Sequence, residues 1–423
     1  MNRASTLPHL EIQPRPFHLW VAGGLLVAVG WALYMYSAQF IQGLGVTGLN
    51  KPVFWGLYVA NFIFCVGLSA GGIAVSALVH LLEKEEMKPV AVMAEVMATS
   101  FLLLAALFII MDLGQPTRLF YVIRHANFAS PLLWDVIVIS SYLALCSALL
   151  YFSARAELVR RPGSDPRWRW AVRLFTLGHT SLTPLALRWD RRCLRTLAIV
   201  SIPGAVALHS VTAWILGLVK GQPGWNTPIL APLFIASALV SGLAAVILAV
   251  IVGRWLFALR VEDEVIQTLG RYLLFLIPVL MYLLFSEFLT VGYSGTPTHL
   301  QVFEEILFGR FSKIFWFDVV VGVLIPLVLL GLPWTRTVTG IGMAAFLVVV
   351  GVFAERTYVL LPSLMRTGPF MTGGAAYAPT AVEWSLMAGA YALGFLIFLA
   401  IMGLIFGPRP RERGLEAPYR LVR

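Results

Sequence analysis

The sequence predicts an all-α integral membrane protein with about ten transmembrane helices. Two observations carry that expectation. Hydrophobic residues make up 59% of the 423 and charged residues only 12%, more apolar surface than a soluble domain can bury. The apolar residues also come in long runs, and about 20 of them at 1.5 Å rise cross a hydrocarbon core of roughly 30 Å. Backbone groups inside lipid must be satisfied internally, so each run is expected to be a helix.

The runs fall at about 18–38, 53–82, 90–112, 132–153, 195–219, 230–256, 271–292, 313–334, 340–362 and 383–406. Tilt or protrusion absorbs the excess of the longer ones. Residues 17–406 form the expected membrane domain, between tails at 1–16 and 407–423. Spans two to five (about 53–219) and six to nine (about 230–362) are expected to form two four-helix bundles, with spans one and ten outside them. No clear internal repeat is visible. No large extramembrane domain is visible either, so catalysis on a hydrophilic substrate is expected in a partner. The run from Phe17 is too long for a signal-peptide core, and no cleavable signal is expected.

Orientation follows from the loop arginines. Nine lie between Arg155 and Arg192, and the C-terminal tail adds Arg409, Arg411, Arg413, Arg420 and Arg423. The opposite loops are poorer, with Lys51, Arg118, Arg124 and Lys220. Both termini are therefore expected in the cytoplasm, in a cytoplasmic (inner) membrane. The net charge of +10 reads as anchoring in anionic lipid and not as nucleic-acid binding. The segment Arg167–Gly178 reads as a short basic interfacial helix. Cys65, Cys146 and Cys193 form no CxxC pair, which argues against zinc, an iron–sulfur cluster or a disulfide framework in this chain. Of seven histidines only His209 lies deep in a span, so no haem is expected.

Ionisable residues inside spans are costly, and each is a functional candidate. Asp112 ends span three, Asp135 lies one turn into span four, His209 lies well inside span five and Glu287 is in span seven. Asp318 opens span eight, and Glu355 and Arg356 lie in span nine. Nearly all fall in the half of the membrane expected to be periplasmic; Glu95 is the main exception. A polar pocket near one face suits a quinone, whose tail needs an apolar cleft and whose ring oxygens need donors and a proton-carrying residue. Structural uses are also open. His209 can bond a backbone carbonyl, Glu355 and Arg356 can pair with other spans, Asp112 can cap a turn, and Asp135 suits a helix start. Trp55, Tyr58 and Tyr293 suit an interfacial belt.

Several segments together resemble the NrfD/PsrC family of membrane subunits, found with polysulfide reductase-like molybdoenzymes, some hydrogenases and alternative complex III. They are Pro52–Phe62, Gly67–Gly72, Asp112–Pro116, Ser130–Asp135, His209-Ser210, Pro223–Trp225 and Ser237–Gly242. Glu287, Tyr293–Gly295, Glu355-Arg356 and Tyr377–Thr380 follow. The ten-span layout resembles the longer branch with ActC, DsrP and HybB. The resemblance implies a menaquinone or ubiquinone site near the periplasmic face. It also implies a periplasmic iron–sulfur partner docking on the loop Leu113–Ala129, with a molybdopterin-type or multihaem cytochrome subunit beyond it. Ala70 and Asp112 stand where the ActC pattern has histidines, and Asn226 where it often has another.

The expected site lies between spans two to five. Asp112 and His209 exchange redox protons, Asp135 and Asn61 orient the ring, and Trp55, Tyr58 and Trp134 wall it, with Arg118 nearby. A proton path is expected through Ser140, Ser141 and Glu95. Glu287, Tyr293, Asp318, Glu355 and Arg356 are expected to form a second polar network, and no metal site is expected. Two rival readings are a membrane anchor with a vestigial quinone site and a secondary transporter; polar groups lying off the midplane count against the transporter.

Overall fold

A computed structural model describes residues 16–160, 166–257, 259, 261–366 and 376–406. The expected tails, including the arginines from Arg409 onward, lie outside the described residues except for Pro16. Among the described residues there is no strand, and ten helices are long and apolar enough to cross a membrane. They are α1 (Pro16–Gln42), α2 (Leu57–Leu82), α3 (Lys88–Asp112), α4 (Pro131–Arg160) and α5 (Pro184–Gly217). After them come α6 (Leu230–Phe257), α7 (Asp263–Ser294), α8 (Ser312–Gly331), α9 (Val338–Met365) and α10 (Ala381–Phe406). Shorter helices lie between them at Tyr121–Arg124, Pro166–Phe175 and Pro297–Leu307.

Several helices outrun the apolar run that predicts them, α4 and α5 among them. For α4 and α5 the reason is a buried ion pair beyond the apolar stretch: Arg155 of α4 donates through Nε and Nη2 to Asp190 of α5. Arg155 Nη1 also donates to the carbonyls of His179 (3.1 Å) and Ser181 (2.9 Å), tying down the connection that leads into α5. Thr183 caps α5 by accepting from Ala186 N–H at 3.3 Å, with Pro184 at the first helical position.

Helix α2 is the hub. It packs against α3 and α5, and α4 closes the ring by contacting both of those. Helices α6, α7, α8 and α9 pack together in a second group, joined to the first along α2–α6. Small residues make that seam close: a side chain on Gly71 would strike the Ala238 carbonyl, and one on Gly242 would strike the backbone of Gly71. Helices α1 and α10 pair with each other and lean on α3 through α10. Exposed Trp20, Val27, Phe275 and Tyr282 line outward faces of α1 and α7, as lipid-facing surfaces require. Helix α8 is not uniform. Its middle, Asp318–Leu324, is a π-helical turn, a feature that often marks functional positions.

The N-terminal end of α2 marks one membrane side, here the Trp55 side. The connections 113–130, 218–229 and 295–311 and the described residues 376–380 emerge there as well. The connection 83–87 and the described residues 166–183 lie on the opposite, His80 side.

Candidate functional site

The chain alternates direction through α2–α5, so depth follows from position. Asp112 is the last residue of α3, on the Trp55 side. Asn61 and Asp135 lie one turn into α2 and α4 from that side. His209 lies eight residues before the end of α5, roughly 12 Å deep.

Around α2 these residues divide. Tyr58, Asn61 and Cys65 share one face, at helical spacing. The Tyr58 hydroxyl donates to Gln39 Oε1 (2.7 Å), and Gln39 Nε2 donates to the Met111 carbonyl (2.7 Å), which reaches from α1 to the end of α3. Asn61 Nδ2 donates to the Leu57 carbonyl (2.7 Å) while its Oδ1 accepts from Tyr391 of α10 (2.7 Å). Asp112 Oδ1 is buried with no hydrogen-bond partner among the described residues.

The opposite face of α2 carries Gly67 and meets His209. A side chain begun at Gly67 would lie 3.8 Å from both His209 Nε2 and Ser241 Oγ. His209 Nδ1 faces the Ala205 carbonyl at 3.4 Å, the structural use open to a membrane histidine. Its Nε2 has no partner among the described residues and is buried. One turn on, Thr212 donates to Asp135 Oδ1 at 2.9 Å, linking α5 to α4. The expected site thus divides: no hydrogen bond joins Asp112 to His209, and Asp135 belongs with His209.

Aromatic and loop residues take varied places. Trp55 stacks on Trp225 with ring centroids 5.8 Å apart, and Trp225 Nε1 donates to the Val359 carbonyl (3.0 Å) of α9. Trp134 Nε1 donates to the Phe128 carbonyl at 2.6 Å, pinning the 113–130 connection to α4. Arg118 is exposed on that connection, not enclosed with the others.

The expected path through Ser140 and Ser141 is not what the structure shows. Both are exposed on the outer face of α4, where Ser141 only bonds back to the Ile137 carbonyl (2.7 Å). The inward face of α4 carries Asp135, Tyr142, Cys146 and Ser153 instead, a helical repeat the serine pair does not follow. Glu95 does point inward. Its Oε1 accepts from Ser76 (2.6 Å) and Ser153 (3.0 Å) and meets His80 Nε2 at 2.8 Å, while Oε2 has no partner among the described residues. Buried Ser69 Oγ and Tyr142 Oη also lack partners there, at depths between Glu95 and His209.

The second network loses one member: Tyr293 is 92% exposed. The others are enclosed. Ser237 of α6 donates to Glu355 Oε2 (2.5 Å), and Tyr358 donates to Asp318 Oδ2 (2.9 Å). Glu287 accepts from Thr227 at 2.8 Å beside a cavity of about 60 Å³. Asp318 is buried and not interfacial because Gly322 and Gly351 let α8 and α9 meet next to it.

Sequence reasoning missed Gln39, Glu383 and Tyr391, and gave Tyr377 no role beyond its place in a family segment. Glu383 is fully buried at the start of α10 and accepts from Gly48 N–H (2.8 Å), Thr380 N–H (2.9 Å) and Tyr377 (2.6 Å). Outside the spans, burial and then the Glu383 hydrogen bond push the Tyr377 hydroxyl up from its ordinary value. A carboxylate in the first turn of the last apolar run was the available signal for this cluster.

The fold and its buried polar groups define a multi-pass helical membrane protein built round an ionisable interior. Residues 45–368 match the family described as polysulphide reductase, NrfD, and the chain belongs to that family. It is 30% identical over 407 residues to a Halobacterium salinarum protein provisionally named as a membrane subunit of dimethyl sulfoxide reductase; the match takes in 92% of this chain and 90% of that one. It is 26% identical to a selenate reductase subunit of Mesobacillus selenatarsenatis, over 90% of this chain and 92% of that one. It is also 26% identical to the Hdr-like menaquinol oxidoreductase integral membrane subunit of Archaeoglobus fulgidus, over 93% of this chain and 94% of that one.

Proposed function

We propose that the chain is the quinone-reactive membrane subunit of a respiratory oxidoreductase, and that quinone exchanges its protons at Asp112 and His209. One observation carries this reading. Asp112 at the Trp55-side end of α3 and His209 deeper in α5, against opposite faces of α2, each keep a buried hydrogen-bonding atom that no described residue uses. Unused buried polar atoms are rare because they cost about 1–3 kcal/mol each. A ligand oxygen explains both.

Asn61 and Asp135, at matching depth, fix the surrounding helices through Tyr391 and Thr212. Protons reach His209 from the His80 side along Glu95, Ser76, Ser69, Cys146 and Tyr142. The quinone is menaquinone or ubiquinone; the menaquinol relative favours menaquinone. Electrons pass to or from a periplasmic iron–sulfur subunit. Its contact surface is the 113–130 connection, where Phe120, Ile123 and Phe128 are exposed beside Arg118 and Arg124. On this reading the Trp55 side is periplasmic and both termini are cytoplasmic, in the inner membrane, which agrees with the arginines at 155–192 on the His80 side.

The test is quinone-linked turnover of the assembled complex carrying Asp112→Asn or His209→Ala. A loss of about a hundredfold or more is expected from removing a proton carrier. Unchanged turnover in both variants would remove the site and leave the anchor reading.

A further inference from the structure

The second bundle holds a polar cluster that quinone binding in the first does not need. Asp318 on the π-helical turn of α8 and Glu355 on α9 are both buried, with Arg356 as the guanidinium among them. Arg356 Nη1 donates to Glu355 Oε1 at 3.3 Å, and its guanidinium lies 4.3 Å from the Phe234 ring centroid. Its Nε and Nη2 are buried with no partner among the described residues. Two carboxylates against one guanidinium leave a net negative charge when both are ionised. Such a charge is costly away from water, and one added proton removes it.

The cluster has an entrance. The Glu287 cavity, with room for a few water molecules, is lined by Thr227, Glu287, His299 and Tyr358. The Tyr358 hydroxyl is bonded to Asp318. The cluster also has a link to the first bundle. Ser237, which donates to Glu355, is one turn from Ser241, and Ser241 Oγ and His209 Nε2 each lie 3.8 Å from where a side chain on Gly67 would begin.

We propose that Asp318 and Glu355 share one exchangeable proton, passed to and from the Glu287 cavity through Tyr358, and that the charge on His209 decides whether it is held. A proton arriving from the cavity binds the Tyr358 oxygen as the proton already there moves to Asp318. The tyrosine ends neutral and the pair gains one proton. A positive His209 keeps the pair ionised; when His209 turns neutral the pair takes the proton up. The groups facing the pair are Ser237 from α6, Arg356 and Tyr358 from α9, and, further off, Glu287 from α7 and His209 from α5. The coupling half of this inference rests on the reading of His209 as quinone-linked; the exchange site itself does not.

Infrared difference spectroscopy on the assembled complex separates the two. In a pH jump without quinone turnover, a protonated-carboxyl band is expected to rise, to vanish in Asp318→Asn and Glu355→Gln, and to rise roughly tenfold more slowly in Tyr358→Phe. Asp318→Glu, which keeps the carboxyl, retains a band and controls for misfolding. A band unchanged in both amide variants overturns the site. In a second arm, reducing the quinone pool is expected to raise the same band and oxidising it to lower the band in the wild type, and neither is expected in His209→Ala. Turnover with no change in that band overturns the coupling. A band that titrates with pH in a complex inactive toward quinone leaves the exchange site standing and contradicts only the quinone reading.

Discussion

The Tyr377 hydroxyl donates to Glu383 at 2.6 Å and accepts from the backbone N–H of Leu57 at 2.7 Å, so a single oxygen ties the start of α2 to the start of α10. Leu57 N–H is one of the first-turn donors that a helix cannot satisfy itself. Tyr377→Phe strands both partners in a buried place, and a loss of ~1–3 kcal/mol of stability is expected. The thermal midpoint in detergent or nanodiscs checks this; an unchanged midpoint contradicts it.

The same hydroxyl has a pH signature. Its value is raised in the folded protein by burial and by Glu383. The folded state therefore keeps this proton when the unfolded chain loses it. The contribution is fully present below about pH 10, the unfolded value, and is lost as pH rises above it. Wild-type stability is expected to fall more steeply above about pH 10 than that of Tyr377→Phe. Parallel curves would contradict the assignment.

Arg155 and Asp190 form a buried pair on the His80 side. Removing one partner leaves an uncompensated buried charge, and Arg155→Leu is expected to cost ~3–5 kcal/mol. Arg155→Leu with Asp190→Leu is expected to recover part of that loss. A double variant no better than the single would show that the carbonyl contacts of Arg155 matter more than the ion pair.

Glycine spacing sets the seam between the bundles. Gly71→Leu puts a side chain into the backbone of Ala238 and Gly242, so a large drop in the yield of folded protein is expected, whereas Gly23→Leu on open α1 surface leaves it unchanged. Yield by size-exclusion fluorescence distinguishes the two.

The proton route can be tested by contrast. Ser140→Ala and Ser141→Ala are expected to leave quinone turnover unchanged, because both side chains face outward. Tyr142→Phe and Ser69→Ala remove buried hydroxyls that no described residue uses, and slower turnover is expected from each. The reverse pattern would return the route to the outer face of α4.

Much of the fold was legible because membrane spans announce themselves. A run of some 20 apolar residues has one stable form, and all ten expected spans are helices. Helix ends were less legible, since Arg155 and Asp190 extend α4 and α5 only by finding each other across 35 positions. Buried acids were readable as costly, and Asp135, Asp318 and Glu355 are enclosed as that cost demands. Their partners were not readable. Thr212, Ser237 and Tyr358 are ordinary residues in apolar helices until packing sets them against a carboxylate. The serine pair misled because polarity alone does not say which face of α4 looks inward; the period through Asp135, Tyr142 and Cys146 does. Helix α1 gave little warning of Gln39, whose role depends on Tyr58 and Met111, distant in sequence.

Quinone occupancy bears most directly on the central claim. The assembled complex, wild type or carrying Asp112→Asn with His209→Ala, can be loaded with menaquinone in nanodiscs and weighed by native mass spectrometry. About one quinone held per wild-type chain, with occupancy at least tenfold lower in the double variant at equal folded yield, is the expected result. Equal occupancy in both would show that the unused atoms of Asp112 and His209 are not what holds the ring.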